Sequence, residues 1–258
     1  FFSSTMPANF DCVVFDLDGV VTQTSKVHTK AWTATFNEYL QKRDGDGYKP
    51  FTEEDYLKFV DGKPRYDGVT DFLKSRDITI EHGDPSDAGD KLTVCGIGNR
   101  KNDMFLEVLK AEGVEPYDTT VRLLRELEAA GIPRGVASSS KNCQFVLQTA
   151  KIEELMMTRV DGVVSAEIGL KGKPQPDIFV TAAKNLGFTP DRTIVFEDAV
   201  SGVQAGKNGN FALVVGLARE DNEKELKENG ADIVFPDWGS NTIEDLDKWV
   251  AAKKAGTL

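Results

Sequence analysis

The sequence predicts an α/β protein, a Rossmann-like parallel-sheet core with an inserted helical cap domain. Three observations carry that prediction. A short apolar run, Cys12, Val13, Val14 and Phe15, ends abruptly in Asp16, Asp18 and Gly19, as a buried parallel strand does when it delivers polar groups to its C-terminal tip. From Thr119 onward, apolar stripes at helical spacing alternate with short β-branched runs, the rhythm of a parallel sheet crossed by helices. Between these regions, residues 30–113 carry helical patterns without strands. The expected division is residues 1–28 with 114–258 as the catalytic core domain, and 29–113 as the cap.

A chain of 258 residues holds one or two domains. Its 40% hydrophobic and 28% charged residues describe an ordinary globular protein. The net charge of −11, from 42 acidic against 31 basic residues, argues against nucleic acid or an anionic membrane as the main partner. An anionic substrate would need a local basic pocket. Cys12, Cys95 and Cys143 are odd in number and form no C-x-x-C pair, so neither a disulfide framework nor a zinc knuckle is expected, and Cys12 reads as a small core hydrophobe. Residues 1–9 are too short and polar for a signal peptide, and no apolar run approaches membrane-spanning length. The expectation is a cytoplasmic monomer, with residues 1–4 a remnant foreign to the natural chain.

Along the chain, the first strand is followed by a helix over 25–40, with Val27, Ala31, Ala34 and Tyr39 near helical spacing and Trp32 and Phe36 on a neighbouring stripe. Asp44-Gly45-Asp46-Gly47 breaks it; lacking the remaining ligands of a calcium loop, it reads as a solvated turn. A near capping box, Thr52-x-x-Asp55, opens a short helix over 52–60. Further helices are predicted over 68–75 and 99–111, with a polar loop over 81–90 between them. The core then reads as helix to Gly131, strand 134–137, helix 142–150, helix 178–186, strand 193–196, helix 200–208, strand 212–215, strand 233–235 and helix 243–252.

Chemistry gathers at the predicted strand ends, where open α/β sheets place it. Asp16 and Asp18, two apart on an extended chain, point the same way and repel unless a cation sits between them or one is protonated. Mg²⁺ is a natural occupant, although D-L-D-G is also an ordinary strand-ending turn. The second strand runs into Ser138-Ser139-Ser140-Lys141-Asn142, a hydroxyl-rich turn suited to a phosphate; Ser138 is the better ligand candidate and Ser140 an ordinary N-cap. Lys173 sits between Gly172 and Pro174 in G-K-P-Q-P-D, where two prolines stiffen the loop, so it is either aimed at an anion or a solvated turn lysine. Another strand ends in the acidic pair Glu197-Asp198. Carboxylates that hold Mg²⁺, with a lysine and a hydroxyl beside them, form a phosphoryl-transfer site in which Asp16 attacks and Asp18 manages a proton.

These four motifs resemble those of the haloacid dehalogenase-like phosphotransferases: D-x-D-G, a strand-end Ser or Thr, a Lys, and an acidic pair. The resemblance covers nearly the whole chain and is closest to the β-phosphoglucomutase-like subgroup, through D-L-D-G-V-V-T from Asp16, His28, Ala31-Trp32, Arg100-Lys101-Asn102-Asp103, S-S-S-K-N from Ser138 and G-K-P-Q-P-D-I-F from Gly172. The resemblance implies that Asp16 becomes an aspartyl phosphate and Asp18 is the general acid and base. It implies Mg²⁺ held by the Asp16 carboxylate, the Asp18 carbonyl and Asp198, with Glu197 assisting. Ser138 and Lys173 would grip the transferring phosphate, with Thr24, His28 and Asn142 around it and Thr24 at the hinge to the cap. Lys101 and Arg65 would hold the other phosphate or the hydroxyls of a sugar phosphate.

His28 also suits a structural histidine, Lys101 a solvated helix start, and Arg65 a loop after Pro64. The expected activity is conversion of β-glucose 1-phosphate to glucose 6-phosphate through glucose 1,6-bisphosphate. Gln23 and Ala199 depart from the subgroup's pattern, and the cap carries extra material around 44–51 and 81–90. The alternative is a sugar-phosphate phosphatase. A non-catalytic phosphosugar sensor would lack Asp16 or Asp18, and both are present.

Overall fold

A computed structural model describes residues 8–258; the first seven, including the remnant expected at 1–4, lie outside the described residues. Two compact units are present, one running to Gln23 and resuming over Glu115–Leu258, the other spanning Thr24–Val114. The first division falls at Gln23/Thr24 and not after residue 28, because helix α1, Ser25–Asp44, runs unbroken through that point. The sheet of the first unit is all parallel, with strands β1 (Cys12–Phe15), β2 (Arg134–Ala137), β3 (Thr158–Val160), β4 (Thr193–Glu197), β5 (Leu213–Leu217) and β6 (Ile233–Phe235) in the order β3-β2-β1-β4-β5-β6. The order reverses beside β1. A crevice therefore opens at the C-terminal end of the strand that carries Asp16 and Asp18.

The second unit is helical and has its own core. After α1 come a one-turn helix α2 (Glu53–Asp55), which continues as a wider turn over Tyr56–Val60, then α3 (Arg65–Ser75) and α4 (Val94–Glu112). The capping box at Thr52 and Asp55 forms as expected: each side chain accepts from the other's amide. Trp32, Phe36 and Leu40 are buried on α1 with Ala31, Thr35 and Tyr39, whereas Ala34 is exposed. The stripe thus runs through the aromatic residues and not through Ala34. Phe36, Phe51 and Phe72 pack with ring centroids 4.3–4.8 Å apart in a cluster that includes Val60, Val69 and Ile97.

Two helices here begin earlier than predicted. α4 starts at Val94, capped by Thr93, whose hydroxyl accepts from Gly96 N; Gly96 and Gly98 weaken the helical signal. A Cβ on Gly98 would lie 2.8 Å from Arg65 Cγ, so that glycine serves the close approach of α3. Arg65 is the first residue of α3, not a loop residue.

In the first unit the helices are α5 (Asp118–Ala129), α6 (Cys143–Thr149), α7 (Gly162–Ile168), α8 (Asp177–Asn185), α9 (Val200–Asn208), α10 (Glu223–Asn229) and α11 (Ile243–Ala255). One face of the sheet, with Val14, Ala137, Val160, Val195 and Val214, packs on Phe179 and Ala182 of α8, Val203 of α9 and Leu226 of α10. Phe15 and Phe196, next along their strands, point to the opposite face. There they stack at 4.9 Å, and Phe196 meets Trp238 at 5.2 Å, which in turn meets Trp249 of α11. Both faces are covered, which is why these strands read as continuous apolar runs.

β3, α7 and α10 were not predicted. β3 is a three-residue edge strand reading Thr-Arg-Val, α7 has no fully buried residue, and α10 buries only Leu226, so none shows a periodic apolar signal. The three cysteines form no disulfide among the described residues and are buried, with Cys12 Sγ 3.2 Å from Thr193 Oγ1. Among the described residues no helix is long and apolar enough to cross a membrane.

Candidate active site

The sheet register assembles the site. Phe15 pairs with Phe196 on β4 and with Val136 on β2, and Asp16 N extends the ladder by donating to Phe196 O at 2.9 Å. Asp16 is thereby set beside Glu197, and Ser138 lies one residue beyond Ala137 at the same sheet edge. Lys173, from the loop before α8, bridges the two acids: Nζ donates to Asp16 Oδ1 and, at 2.5 Å, to Glu197 Oε1. Its side chain is fully buried, with Nζ 4.8 Å from the Phe179 ring centroid. Of the two roles open to Lys173, the aimed lysine is the one observed.

Burial drives the Asp16 carboxyl up to about 8, Lys173 opposes that shift, and the Glu197 and Asp18 charges reinforce it. Burial also disfavours the Lys173 ammonium, but the Asp16 and Glu197 carboxylates hold its pKa above the ordinary lysine value. Glu197, expected to assist a cation, has both oxygens engaged: Oε1 by Lys173, and Oε2 by the amides of Asp198 and Ala199, each at 2.7 Å. It organises the acidic turn. Space for it comes from α9, where a Cβ on Gly202 would lie 1.7 Å from Glu197 Oε1.

The turn after β1 closes on itself through Gly19 N to Thr22 O (2.8 Å) and Val21 N to Leu17 O (2.9 Å). Gly19 has φ +82°, and a Cβ there would lie 1.7 Å from Asp198 Oδ2. Only glycine lets the Asp198 carboxylate come against the Asp16–Asp18 turn. Ser138 is buried, its amide donates to Val160 O, and its hydroxyl oxygen accepts from Ser140 N at 3.1 Å, which leaves the hydroxyl proton to donate. Ser140 is not the helix N-cap: Asn142 holds that position, and Ser140 Oγ accepts from Asn142 N in the turn ahead of it. The neighbouring Cys143 thiol is pushed well up by burial and further by the Asp18 charge, so Asp18 lies within electrostatic reach of the start of α6.

A divalent cation fits this donor set. Asp16 and Asp198 offer hard carboxylate oxygens on adjacent turns, and both are buried. Among the described residues no group of three or more His, Cys, Asp or Glu side chains forms a complete metal cage; a cation here would take backbone and water oxygens besides, as small hard cations commonly do.

The remaining expected residues lie in the second unit. Thr24 is its first residue and is buried. His28, on α1, stacks on Phe105 at 4.0 Å, and Lys101 Nζ lies 2.5 Å from His28 Nδ1. Lys101 is buried, with Nζ 5.0 Å from the Trp32 ring centroid and 4.7 Å from that of Phe105, so it is not the solvated helix start its neighbours suggested. A charged lysine only donates, so Nδ1 accepts and the imidazole proton resides on Nε2. Arg65 Nη2 donates to Asn102 Oδ1 at 2.7 Å, and Nη1 to Asn99 Oδ1 at 3.3 Å.

Two residues outside every motif also touch the acidic turns. Arg219 Nε donates to Gly19 O at 2.9 Å, and Asn222 Nδ2 to Asp198 O at 3.1 Å. Their contacts are 200 and 24 residues distant in sequence, and no local pattern marks them.

A family model described as haloacid dehalogenase-like hydrolase matches residues 10–210. A Mycobacterium bovis protein named β-phosphoglucomutase is 46% identical over 239 residues, covering 90% of this chain and 91% of the relative. A Bacillus subtilis protein of the same name is 31% identical over 242 residues, covering 92% and 94%. The crystal structure of a Clostridium difficile β-phosphoglucomutase superposes with a TM-score of 0.74 at 22% identity, over 95% of this chain and 99% of that one, which bears on the fold. With its strand-tip acids bridged by a buried lysine and these relatives along most of its length, the chain belongs to the haloacid dehalogenase-like hydrolase family.

Proposed function

We propose that this chain is a Mg²⁺-dependent β-phosphoglucomutase that converts β-glucose 1-phosphate to glucose 6-phosphate through a phosphorylated Asp16. The reading is carried by the buried Lys101–His28 pair in a helical unit inserted into a phosphotransferase core, and it is supported by the 46% identity to a protein of that name.

In the proposed cycle the 6-hydroxyl of β-glucose 1-phosphate attacks the phosphorus on Asp16. Asp18 takes the hydroxyl proton as the Asp16–phosphorus bond breaks. The resulting bisphosphate reverses its orientation, Asp16 attacks the C1 phosphoryl, and Asp18 returns the proton to the departing O1. Lys173 and the Ser138 hydroxyl hold the transferring phosphoryl oxygens, with Asn142 beside them. Glu197 keeps Lys173 and the Asp198 turn in place. Mg²⁺, held by the Asp16 and Asp198 carboxylates and the Asp18 carbonyl, supplies positive charge to the phosphoryl group. His28 donates to a sugar oxygen from Nε2, while Lys101 and Arg65 bind the second phosphate or the hydroxyls. Thr24 is the first residue of the helical unit.

Water is vastly more abundant than the sugar. A mutase must favour sugar over water by on the order of 10⁵ to 10⁶, about 7 to 8 kcal/mol of differential barrier. Residues that recognise the sugar must therefore affect sugar phosphorylation and hydrolysis unequally. His28→Ala is expected to lower glucose 6-phosphate formation about 10²-fold and phosphate release far less, both read in one assay. Equal losses in both products would remove His28 from sugar recognition.

A further inference from the structure

The loop between β5 and α10, residues 218–222, belongs to none of the four motifs, yet it reaches both acidic turns through Arg219 to Gly19 O and Asn222 to Asp198 O. Those turns are in mutual contact, since the Asp198 carboxylate occupies the place of a Gly19 Cβ. Arg219 is held on its other sides. Its guanidinium carbon lies 3.7 Å from the Tyr117 ring centroid, and Nη1 donates to Pro236 O at 3.2 Å and Asp237 Oδ1 at 2.5 Å. Asp237 in turn accepts from Thr119 Oγ1 and Gly239 N.

Asn222 is the N-cap residue of α10. Asparagine there ordinarily accepts from the first-turn amides of its own helix, but this side chain makes no such bond and turns to Asp198. Asn222 Oδ1 and Arg219 Nη2 are both buried without a hydrogen-bond partner. Asp221 between them is held at φ +52°, a left-handed conformation uncommon outside glycine. A loop that forgoes a helix cap, buries unpaired polar atoms and holds a left-handed aspartate is shaped for something other than its own stability.

We propose that Arg219 and Asn222 are positioning residues that clamp the two acidic turns together, fixing the Gly19 and Asp198 carbonyls so that the Asp16 and Asp198 carboxylates keep the spacing a divalent cation requires. The inference rests on Asp198 being a cation ligand, as proposed above. Outer contacts that orient ligands commonly change metal affinity 10- to 100-fold when removed, so a loss of about tenfold is expected from each residue.

The test is calorimetric titration of MgCl₂ into the 258-residue chain and its variants. Asn222→Leu, which is similar in size and cannot donate, and Arg219→Met are each expected to weaken Mg²⁺ about tenfold with an unchanged circular dichroism spectrum. Each should raise the Mg²⁺ concentration needed for half-maximal turnover while kcat at saturating Mg²⁺ stays within a few-fold, which a merely structural role would not produce. Asp198→Asn is the control and should bind Mg²⁺ far more weakly than the unaltered chain. Unchanged Mg²⁺ affinity in both loop variants, with Asp198→Asn impaired, overturns the clamp alone. Asp198→Asn binding Mg²⁺ like the unaltered chain overturns the ligand assignment and the clamp with it. If either loop variant does not fold, Asn222→Ala and Arg219→Leu take their places under the same criteria.

Discussion

Lys173 is the residue on which the site's electrostatics turn. Its ammonium joins Asp16 and Glu197, all three buried, and removing one partner of a buried ionic group leaves the others uncompensated. Lys173→Ala is expected to lower stability by about 3 kcal/mol at pH 7, read by urea unfolding, and to abolish turnover. The gap should widen as pH rises above about 8. There Asp16 of the unaltered chain ionises beside Lys173 and that chain stops losing stability, while in the variant, without the lysine, the carboxyl stays protonated and the loss continues. A stability loss independent of pH would contradict this electrostatic account. At this scale the sequence was informative where residues sat at the tip of an apolar run, as Asp16, Ser138, Glu197 and Asp198 do, or between prolines and glycine in a stiff loop, as Lys173 does. Arg219 and Asn222 stand in no local pattern, because their meaning lies in carbonyls of distant segments.

The elements were legible where a run or stripe of apolar residues marked them. β1, β2 and β4 are apolar and covered on both faces and appear in the sequence at nearly their observed bounds. β3, α7 and α10 lie at the periphery, bury little, and were invisible. The first turns of α4 were hidden by Gly96 and Gly98, whose absent side chains serve close packing. Gly202 of α9 poses the same conflict inside the site. Ala in a helix is favoured over Gly by about 1 kcal/mol, yet a Cβ at Gly202 would occupy the Glu197 carboxylate's position. Gly202→Ala is expected to lower stability by about 1 to 3 kcal/mol despite the better propensity, and to reduce turnover at least tenfold by displacing Glu197 from Lys173. Thermal melts and steady-state rates check both; a stabilised, fully active variant would show that Glu197 does not need that space.

Across the whole molecule, Asp16, Ser138, Lys173, Glu197 and Asp198 lie in the sheet unit and His28, Lys101 and Arg65 in the inserted one. That division was foreshadowed by the change from helical pieces to alternating helix and strand near residue 114. The boundary at Gln23 differs from the expected residue 28 because α1 begins just past Gln23, at Ser25, and lies whole in the second unit. The central proposal is that the phosphorylated enzyme passes its phosphoryl to sugar in preference to water. The most direct test supplies the chain with Mg²⁺, β-glucose 1-phosphate and a trace of glucose 1,6-bisphosphate, and follows glucose 6-phosphate and free phosphate in the same tube. The account predicts glucose 6-phosphate forming faster than phosphate, the ratio reflecting discrimination against water. Phosphate release without glucose 6-phosphate would contradict it and make the chain a sugar-phosphate phosphatase.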